Sequence, residues 1–307
     1  MTTVSGTDPL ETGSDPRQSV SRRIFVAGAG IMGSGIAAQA ALGGYAVTLE
    51  DVNEEFARRG LDNARRALES ASKRGKVSPA NVQEALGRID VAIGLRRAEG
   101  ADIVVEAAPE KLEIKRALFE ELSGIVGPTT ILATNTSSLP VTSIASAAVD
   151  PGRVVGIHFF NPVLQMELVE VIPGLHTRPE VVARASEFAR SLGKSVVTSK
   201  DTPGFVTTRA LAVLGNEAAW MLYEGTATKE DIDVAYKLGF HHPMGPFELL
   251  DLVGLDTTVA ILDVLWDGFR DSKYRTCPLL RSMVAAGKLG RKSGSGFYEY
   301  PPKVAGA

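Results

Sequence analysis

Two sets of residues in this 307-residue chain have types and spacings suited to chemistry. The first is the turn Gly28-Ala29-Gly30-Ile31-Met32-Gly33, with Asp51 following at the spacing, roughly 20 residues, of a ribose-binding acid. In such a turn the first glycine makes a tight bend, the second lets backbone amides approach a pyrophosphate, and the third lets a helix pack close to a strand. The helix N-terminus then offers partial positive charge to the phosphates. A carboxylate at Asp51 accepts hydrogen bonds from ribose hydroxyls and repels a 2′-phosphate, which favours NAD over NADP. Glu50 takes that place if the strand register slips by one.

The second set comprises histidines, acids and hydroxyls at strand ends. Oxidising an alcohol requires a group that takes the hydroxyl proton as hydride leaves, and histidine is the usual choice. Of His158, His176, His241 and His242, His158 stands out because it ends the apolar run Val154-Val155-Gly156-Ile157. Ligands of open parallel sheets bind at such carboxyl edges. A strand-end histidine with no catalytic duty is the alternative. An imidazole that gains charge works best with a carboxylate on its other nitrogen. In Met166-Glu167-Leu168-Val169-Glu170-Val171-Ile172, strand alternation places Glu170 on the face of Met166, Leu168 and Ile172. An acid there is costly unless paired, which makes Glu170 the candidate partner, a solvated strand edge being the alternative. Thr134-Asn135-Thr136-Ser137-Ser138 brings further hydroxyls, suited to a reacting oxygen or to capping a turn.

These residues need a scaffold, and the pattern supplies one. Short β-branched runs alternate with helical stretches from Arg23 to about Ser199, the signature of a parallel sheet wrapped by helices. The expected strands are Ile24–Ala27, Tyr45–Glu50, Ile103–Glu106, Thr130–Thr134, Val154–Phe159 and Met166–Ile172. The expected helices are Ile31–Leu42, Asn53–Arg74, one opened by Ser78-Pro79, and Lys111–Val126. Beyond Asp201-Thr202-Pro203-Gly204 strand signals fade, and helices are expected over Thr207–Tyr223, Thr228–Leu238, Pro246–Leu252 and Thr257–Phe269. The fold class is therefore α/β, an N-terminal Rossmann-type doubly wound sheet with a C-terminal all-helical domain. Residues 1–20 read as a disordered leader, 21–201 as the NAD-binding domain, and 202–307 as a helical substrate and dimerisation domain.

Composition narrows the partners. With 33 basic against 36 acidic residues, the chain has no general attraction for nucleic acid or anionic membrane. Glycines and charges interrupt every apolar run before it reaches the roughly 18 residues of a membrane span. The leader is polar, with Asp8, Glu11 and Asp15 against one arginine, unlike a signal or transit peptide, so a cytoplasmic location is expected. The lone Cys277 excludes an internal disulfide and cannot by itself form a thiolate metal cage.

From about Arg23 to Tyr300 the sequence resembles the L-3-hydroxyacyl-CoA dehydrogenase family, including its short-chain, 3-hydroxybutyryl-CoA-type members. The matching strings, in order, are Gly28 to Gly33, Val105-Glu106-Ala107-Ala108-Pro109-Glu110, Asn135-Thr136-Ser137-Ser138-Leu139 and Gly156-Ile157-His158-Phe159-Phe160-Asn161-Pro162. They continue with Leu168-Val169-Glu170-Val171, Asp201-Thr202-Pro203-Gly204-Phe205, His242-Pro243-Met244-Gly245-Pro246 and Gly290-Arg291-Lys292-Ser293-Gly294. The resemblance implies reversible hydride transfer between C3 of an L-3-hydroxyacyl-CoA and NAD, in a homodimer. It implies His158 as acid/base, Glu170 as its orienting carboxylate and Ser137 on the substrate oxygen. It also implies Asp51, Glu110, Lys115, Ser137, Asn161 and Lys292 as NAD contacts.

Thr208 stands where the family carries asparagine, and a threonine there lacks the amide's paired donor and acceptor. Ala64 and Ala71 fall near CoA-contacting positions that usually carry serine and lysine. Lys73 and Arg74, with Lys76, suit CoA phosphates by charge and equally suit a helix C-terminus. Two other readings stay open: a related hydroxyacid or sugar-acid dehydrogenase that does not use CoA, and a catalytically silent NAD-binding or structural protein. At 307 residues, no fused hydratase domain is expected.

Overall fold

The computed structural model describes residues 22–300, so the leader expected over 1–20 lies outside the described residues. The chain opens with β1 (Arg23–Ala27), α1 (Ile31–Leu42), β2 (Ala46–Asp51), α2 (Glu54–Lys73), α3 (Pro79–Gly87) and β3 (Ile89–Ile93). It continues with β4 (Ile103–Glu106), α4 (Leu112–Ile125), β5 (Ile131–Thr134), α5 (Val141–Ala145), β6 (Val154–Phe159), β7 (Leu168–Pro173), α6 (Pro179–Ser191) and β8 (Ser195–Thr198). Then come only helices: α7 (Thr207–Tyr223), α8 (Lys229–Gly239), α9 (Pro246–Val253), α10 (Leu255–Phe269) and α11 (Pro278–Ala285), with short 3₁₀ turns between some of them.

Local chemistry sets several of these boundaries. The Asn53 side chain accepts from the Phe56 amide at 2.9 Å, and Glu54 and Glu55 complement the dipole of the first turn of α2. Ser78 caps α3 through the Asn81 amide at 3.1 Å, with Pro79 at the first helical position. Cys277, fully buried, precedes Pro278 at the start of α11, and its amide donates to Asn216 Oδ1 at 2.9 Å, a packing role.

The eight strands form one sheet in the order β3-β2-β1-β4-β5-β6-β7-β8. Its connections reverse direction between β1 and β4, the switch point at which open α/β sheets bind ligands. One apolar layer, built around Ile24, Val26, Leu49, Ile157 and Val171, packs beneath α1, α2, α3 and α6. The other, around Phe25, Val104, Leu132, Val154 and Ile172, packs beneath α4 and α5 and takes in Phe205 from the lead into α7. The helices after α6 close on a third core that includes Ile232, Phe247, Leu255, Leu262 and Tyr274.

The sheet departs from the all-parallel expectation at one place. β7 runs antiparallel to β6, because residues 160–167 are too few for the crossover of a dozen or more that a parallel return needs. Met166, expected within the strand, lies in this connection, 40% exposed. Two strands without a clear pattern, β3 and β8, occupy the sheet edges, where a single neighbour and partial exposure leave room for polar residues.

Candidate active site

The glycine turn joins β1 to α1 at the switch point. Gly28 has φ +102°, a left-handed conformation that glycine adopts at no steric cost, and it lies against the end of β4, where an added Cβ would come within 2.8 Å of the Ala107 carbonyl oxygen. A Cβ on Gly33 would sit 1.8 Å from the Gly28 carbonyl oxygen, so this helix–strand approach requires glycine. By contrast the corresponding space at Gly30 is open, which leaves the turn amides accessible. No side chain caps α1, and Ile31 is 71% exposed, so the free first-turn amides face outward.

Asp51 closes the turn from β2. Its Oδ2 accepts from the Ala29 amide at 2.8 Å and its Oδ1 from the Val52 amide at 2.8 Å. Glu50 points elsewhere: it is buried and accepts from Gly94 N at 3.3 Å, whereas Asp51 stands at the glycine turn. Burial pushes the Glu50 carboxyl up to about 7, with the neighbouring Asp51 adding to the effect. The open amides, the absent cap and the acid at the end of β2 together fit the diphosphate and ribose of NAD.

The antiparallel turn into β7 makes His158 and Glu170 direct cross-strand partners on one face. His158 Nδ1 lies 2.8 Å from Glu170 Oε2, and the Glu170 side chain is fully buried. Burial raises the Glu170 carboxyl, but the hydrogen bonds from His158 and from Thr207 outweigh it and hold the group below the ordinary carboxylate range. An ionised Glu170 accepts the proton on Nδ1, which leaves Nε2 available as a base. The ring packs against Phe160, with centroids 4.4 Å apart, and Phe205, at 6.0 Å.

Glu170 also holds the helical region in place. α7 has no side-chain cap of its own, and Glu170 Oε1 accepts from the Val206 and Thr207 amides at 3.2 and 3.0 Å, while Thr207 Oγ1 donates to Oε2 at 3.2 Å. One carboxylate thus serves as histidine partner and helix cap. Sequence reasoning singled out Thr208 and passed over Thr207. Only the long-range approach of α7 to β7 reveals the bond from Thr207 to Glu170, and both Thr207 and Thr208 line the same cavity as His158.

Ser137 lies just beyond β5, in a loop fixed by acids. Glu110 Oε1 accepts from Thr136 Oγ1 at 2.6 Å, Ser137 N at 3.0 Å and Ser137 Oγ at 3.3 Å. Burial raises the Glu110 carboxyl, but Lys115, 3.3 Å away, and these donors bring it below its ordinary value. Lys115 is 1% exposed and bonds Glu106 Oε1 at 2.6 Å, so whatever it does for a cofactor acts through the Glu106 and Glu110 carboxylates. Asn135, unassigned from sequence, accepts from Phe159 N at 2.8 Å and ties the Ser137 loop to the end of β6.

Asn161 lies in the wall of a second cavity, of about 470 Å³, with Ile31, Ser34 and Gly35 of α1 on one side and α2 on the other. Facing it are Asn63, Arg66, Ala67 and Ser70 of α2, and Arg74, the residue that caps its C-terminus. These recur every three or four residues and share one helix face. Lys73 turns instead toward a depression beside α3, so the structure separates the two cations grouped from sequence. Ala64 and Ala71 are buried on the core side of α2, 0% and 1% exposed, so the expectation that they mark a CoA contact is corrected: the cavity face of α2 carries Arg66 and Arg74. Lys292 pairs with Asp256 at 2.7 Å near the start of α10, away from the other assigned residues in the chain. His176 is exposed after β7, at the opposite sheet edge, whereas His242 joins the cavity in front of His158.

A dinucleotide turn and a carboxylate–histidine pair at the same sheet edge define the class: an NAD-dependent dehydrogenase acting on a hydroxyl group. The family follows from comparison. The NAD binding domain of 3-hydroxyacyl-CoA dehydrogenase matches residues 23–202, and the C-terminal domain of the same enzymes matches residues 204–300. The chain belongs to the 3-hydroxyacyl-CoA dehydrogenase family. It is 49% identical over 283 residues to a probable 3-hydroxybutyryl-CoA dehydrogenase of Bacillus subtilis, covering 92% of this chain and 99% of that protein. It is 45% identical over 282 residues to the 3-hydroxybutyryl-CoA dehydrogenase of Bradyrhizobium diazoefficiens, covering 92% and 96%. The crystal structure of (S)-3-hydroxybutyryl-CoA dehydrogenase from Ralstonia eutropha superposes with a TM-score of 0.88 at 41% identity, over 91% of this chain and 99% of that one.

Proposed function

We propose that this protein catalyses the reversible NAD-dependent oxidation of L-3-hydroxyacyl-CoA to 3-ketoacyl-CoA. The observation that carries the reading is the His158–Glu170 pair at the sheet edge that also bears the glycine turn. NAD, bound at that turn and Asp51, supplies the hydride acceptor. His158 Nε2 takes the C3 hydroxyl proton, and Glu170 keeps Nδ1 protonated and stabilises the positive charge the ring acquires. Such acid/base assistance is worth about 10²- to 10⁴-fold. Ser137 holds the C3 oxygen, while Glu110 and Lys115 set the loop that presents it; Asn161 and Lys292 complete the cofactor contacts.

The substrate's CoA lies in the α2 cavity, with Arg66 and Arg74 on its phosphates. This weakens the case for a CoA-free hydroxyacid substrate, because the absent serine and lysine at positions 64 and 71 concern a buried face. Thr208 remains the motive for that second reading. Exposed Leu211, Leu238, Phe240 and Leu252 on the helical region support a homodimer. No helix of the described residues is long and apolar enough to cross a membrane, and we place the protein in the cytoplasm.

NADH oxidation with acetoacetyl-CoA and with free acetoacetate tests the reading. Turnover is expected only with the thioester, and Arg74→Ala is expected to raise its KM about tenfold, the loss of one charge-assisted contact. Preference for the free acid would overturn the assignment.

A further inference from the structure

We infer that Lys194 is a positioning residue for the acyl-CoA substrate: reaching from the start of β8, it holds residues 161–165, which wall the cavity beside α2, in the shape that binds CoA. The inference rests on the acyl-CoA reading above and on the placement of CoA in that cavity. Lys194 is 8% exposed and has no part in the proton path. Its Nζ donates to the Val163 carbonyl oxygen at 2.6 Å and to the Met166 carbonyl oxygen at 2.8 Å, across 31 and 28 residues of chain. The backbone around Lys194 is fixed before its side chain reaches out. Gly193 ends α6 with φ +75°, its amide donates to the Arg190 carbonyl at 2.9 Å, and the Lys194 amide donates to the Ala189 carbonyl at 3.2 Å. One residue on, Ser195 N donates to the Glu167 carbonyl at 2.7 Å and opens the pairing of β8 with β7.

The segment that Lys194 grips satisfies only part of its own backbone. The Pro162 carbonyl accepts from the Gln165 and Met166 amides at 2.9 and 3.0 Å, whereas the Val163 and Met166 carbonyls have Lys194 as their donor. A buried carbonyl needs a donor, and an ammonium on a flexible four-carbon arm can serve two of them at once. Burial pulls the Lys194 amine below its ordinary value, Lys76 adds to that shift, and Glu167 opposes it. From the other side α1 presses on the same segment: Val163 is 3% exposed, and a Cβ on Gly35 would come 2.9 Å from Val163 Cγ2. Val163 is thus seated between α1 and Lys194, and its neighbours Asn161, Leu164 and Gln165 line the cavity that Arg66 and Arg74 line from the α2 side. Without the ammonium both carbonyls lose their donor, and residues 164 and 165 between them lose their fixed place. Neither bond involves Ser137, His158 or Glu170, so the consequence falls on binding and not on the chemical step.

The test is the steady-state kinetics of Lys194→Met, which nearly keeps the length of the side chain and removes its donors, followed by NADH absorbance. KM for acetoacetyl-CoA and the inhibition constant of free CoA are both expected to rise about tenfold, the loss of charge-assisted bonds on one side of the cavity. At the same time kcat and KM for NADH are expected within about threefold of wild type, the pattern of lost substrate binding. Lys194→Arg, which keeps the charge and the donors, is expected to bring both CoA constants back toward wild type. Lys194→Gln, polar but shorter, provides the same readout as methionine if that variant does not fold. An unchanged KM for acetoacetyl-CoA in a folded variant would overturn the inference, as would a loss in kcat alone or equal rises in both KM values. So would methionine and arginine variants that cannot be told apart. Failure of both neutral variants to fold would assign Lys194 to the fold alone and overturn the inference as well. No turnover of acetoacetyl-CoA by the wild type would overturn the acyl-CoA reading and this inference with it, whereas wild-type turnover with an unmoved KM in the variants overturns this inference alone.

Discussion

Replacing Glu170 by glutamine changes one oxygen to an amino group inside a site where four donors converge. The carboxylate accepts from His158, from the Val206 and Thr207 amides, and from the Thr207 hydroxyl. A glutamine offers a single acceptor oxygen. If that oxygen faces the α7 amides, its NH₂ faces His158 Nδ1 and forces that nitrogen to accept. The ring proton then moves to Nε2, the position needed as a base. If the amide flips, the buried α7 amides lose their acceptor instead. Either way the imidazolium loses its counter-charge. For charges about 4 Å apart at an effective dielectric near 20 that attraction is about 4 kcal/mol, a factor of about 10³. The expected outcome is a kcat reduced by about 10²- to 10⁴-fold with KM for NADH little changed, measured by steady-state NADH absorbance with acetoacetyl-CoA. Far-UV circular dichroism and a thermal melt on the same sample confirm folding. A folded Glu170→Gln protein with kcat within about threefold of wild type would refute the proton path described here.

Two further outcomes test the surroundings of that pair. Thr207→Val keeps the side-chain shape but removes the hydroxyl that donates to Glu170 Oε2; one hydrogen bond of about 1 kcal/mol predicts a kcat lowered about fivefold with acyl-CoA KM unchanged and restored by Thr207→Ser. A loss that appears in KM alone, or that serine fails to rescue, would assign Thr207 to packing. For Glu50, burial raises the folded carboxyl from its ordinary 4.5 to about 7. Its protonated form is therefore favoured by folding, and the contribution is fully present below about pH 4.5 and lost as the pH rises through about 7. Glu50→Gln should gain up to about 3 kcal/mol over wild type at about pH 8.5 and nothing at about pH 4, read from urea melts. Equal effects at both pH values would show that the gain has nothing to do with titration.

How much of this was legible in the sequence depends on how far each contact reaches along the chain. Elements set by local rules came through with their ends nearly intact: α1 follows from its glycine turn, α2 from the Asn53 cap, α3 from Ser78-Pro79, and α7 spans Thr207–Tyr223 as expected. Asp51 was legible because a strand-end acid at a fixed distance from a glycine turn is a one-dimensional signal. The edge strands β3 and β8 were not, because an edge position relaxes the apolar pattern that reveals a strand. The cations on α2 were grouped by adjacency, whereas a helix sorts residues by threes and fours. Arg66 and Arg74 therefore line one cavity, while Lys73 lines another.

Glu170 shows where reading along the chain stops. Alternation in β7 exposed an acid that needed a partner, and four histidines were available. The strand-end position singled out His158, but the segment does not carry the antiparallel return of β7 that sets Glu170 opposite the penultimate residue of β6. The second duty of Glu170 required a helix whose first amides lack a local cap to arrive 36 residues later. Neither fact is a property of the segment that contains Glu170. Both concern orphan groups, an imidazole N–H and helix-terminal amides, that burial forces to find an acceptor. Since one carboxylate satisfies both, the position of α7 and the orientation of His158 cannot vary independently. The wall that α7 gives to the cavity in front of the imidazole is therefore set by the same carboxylate that holds the imidazole.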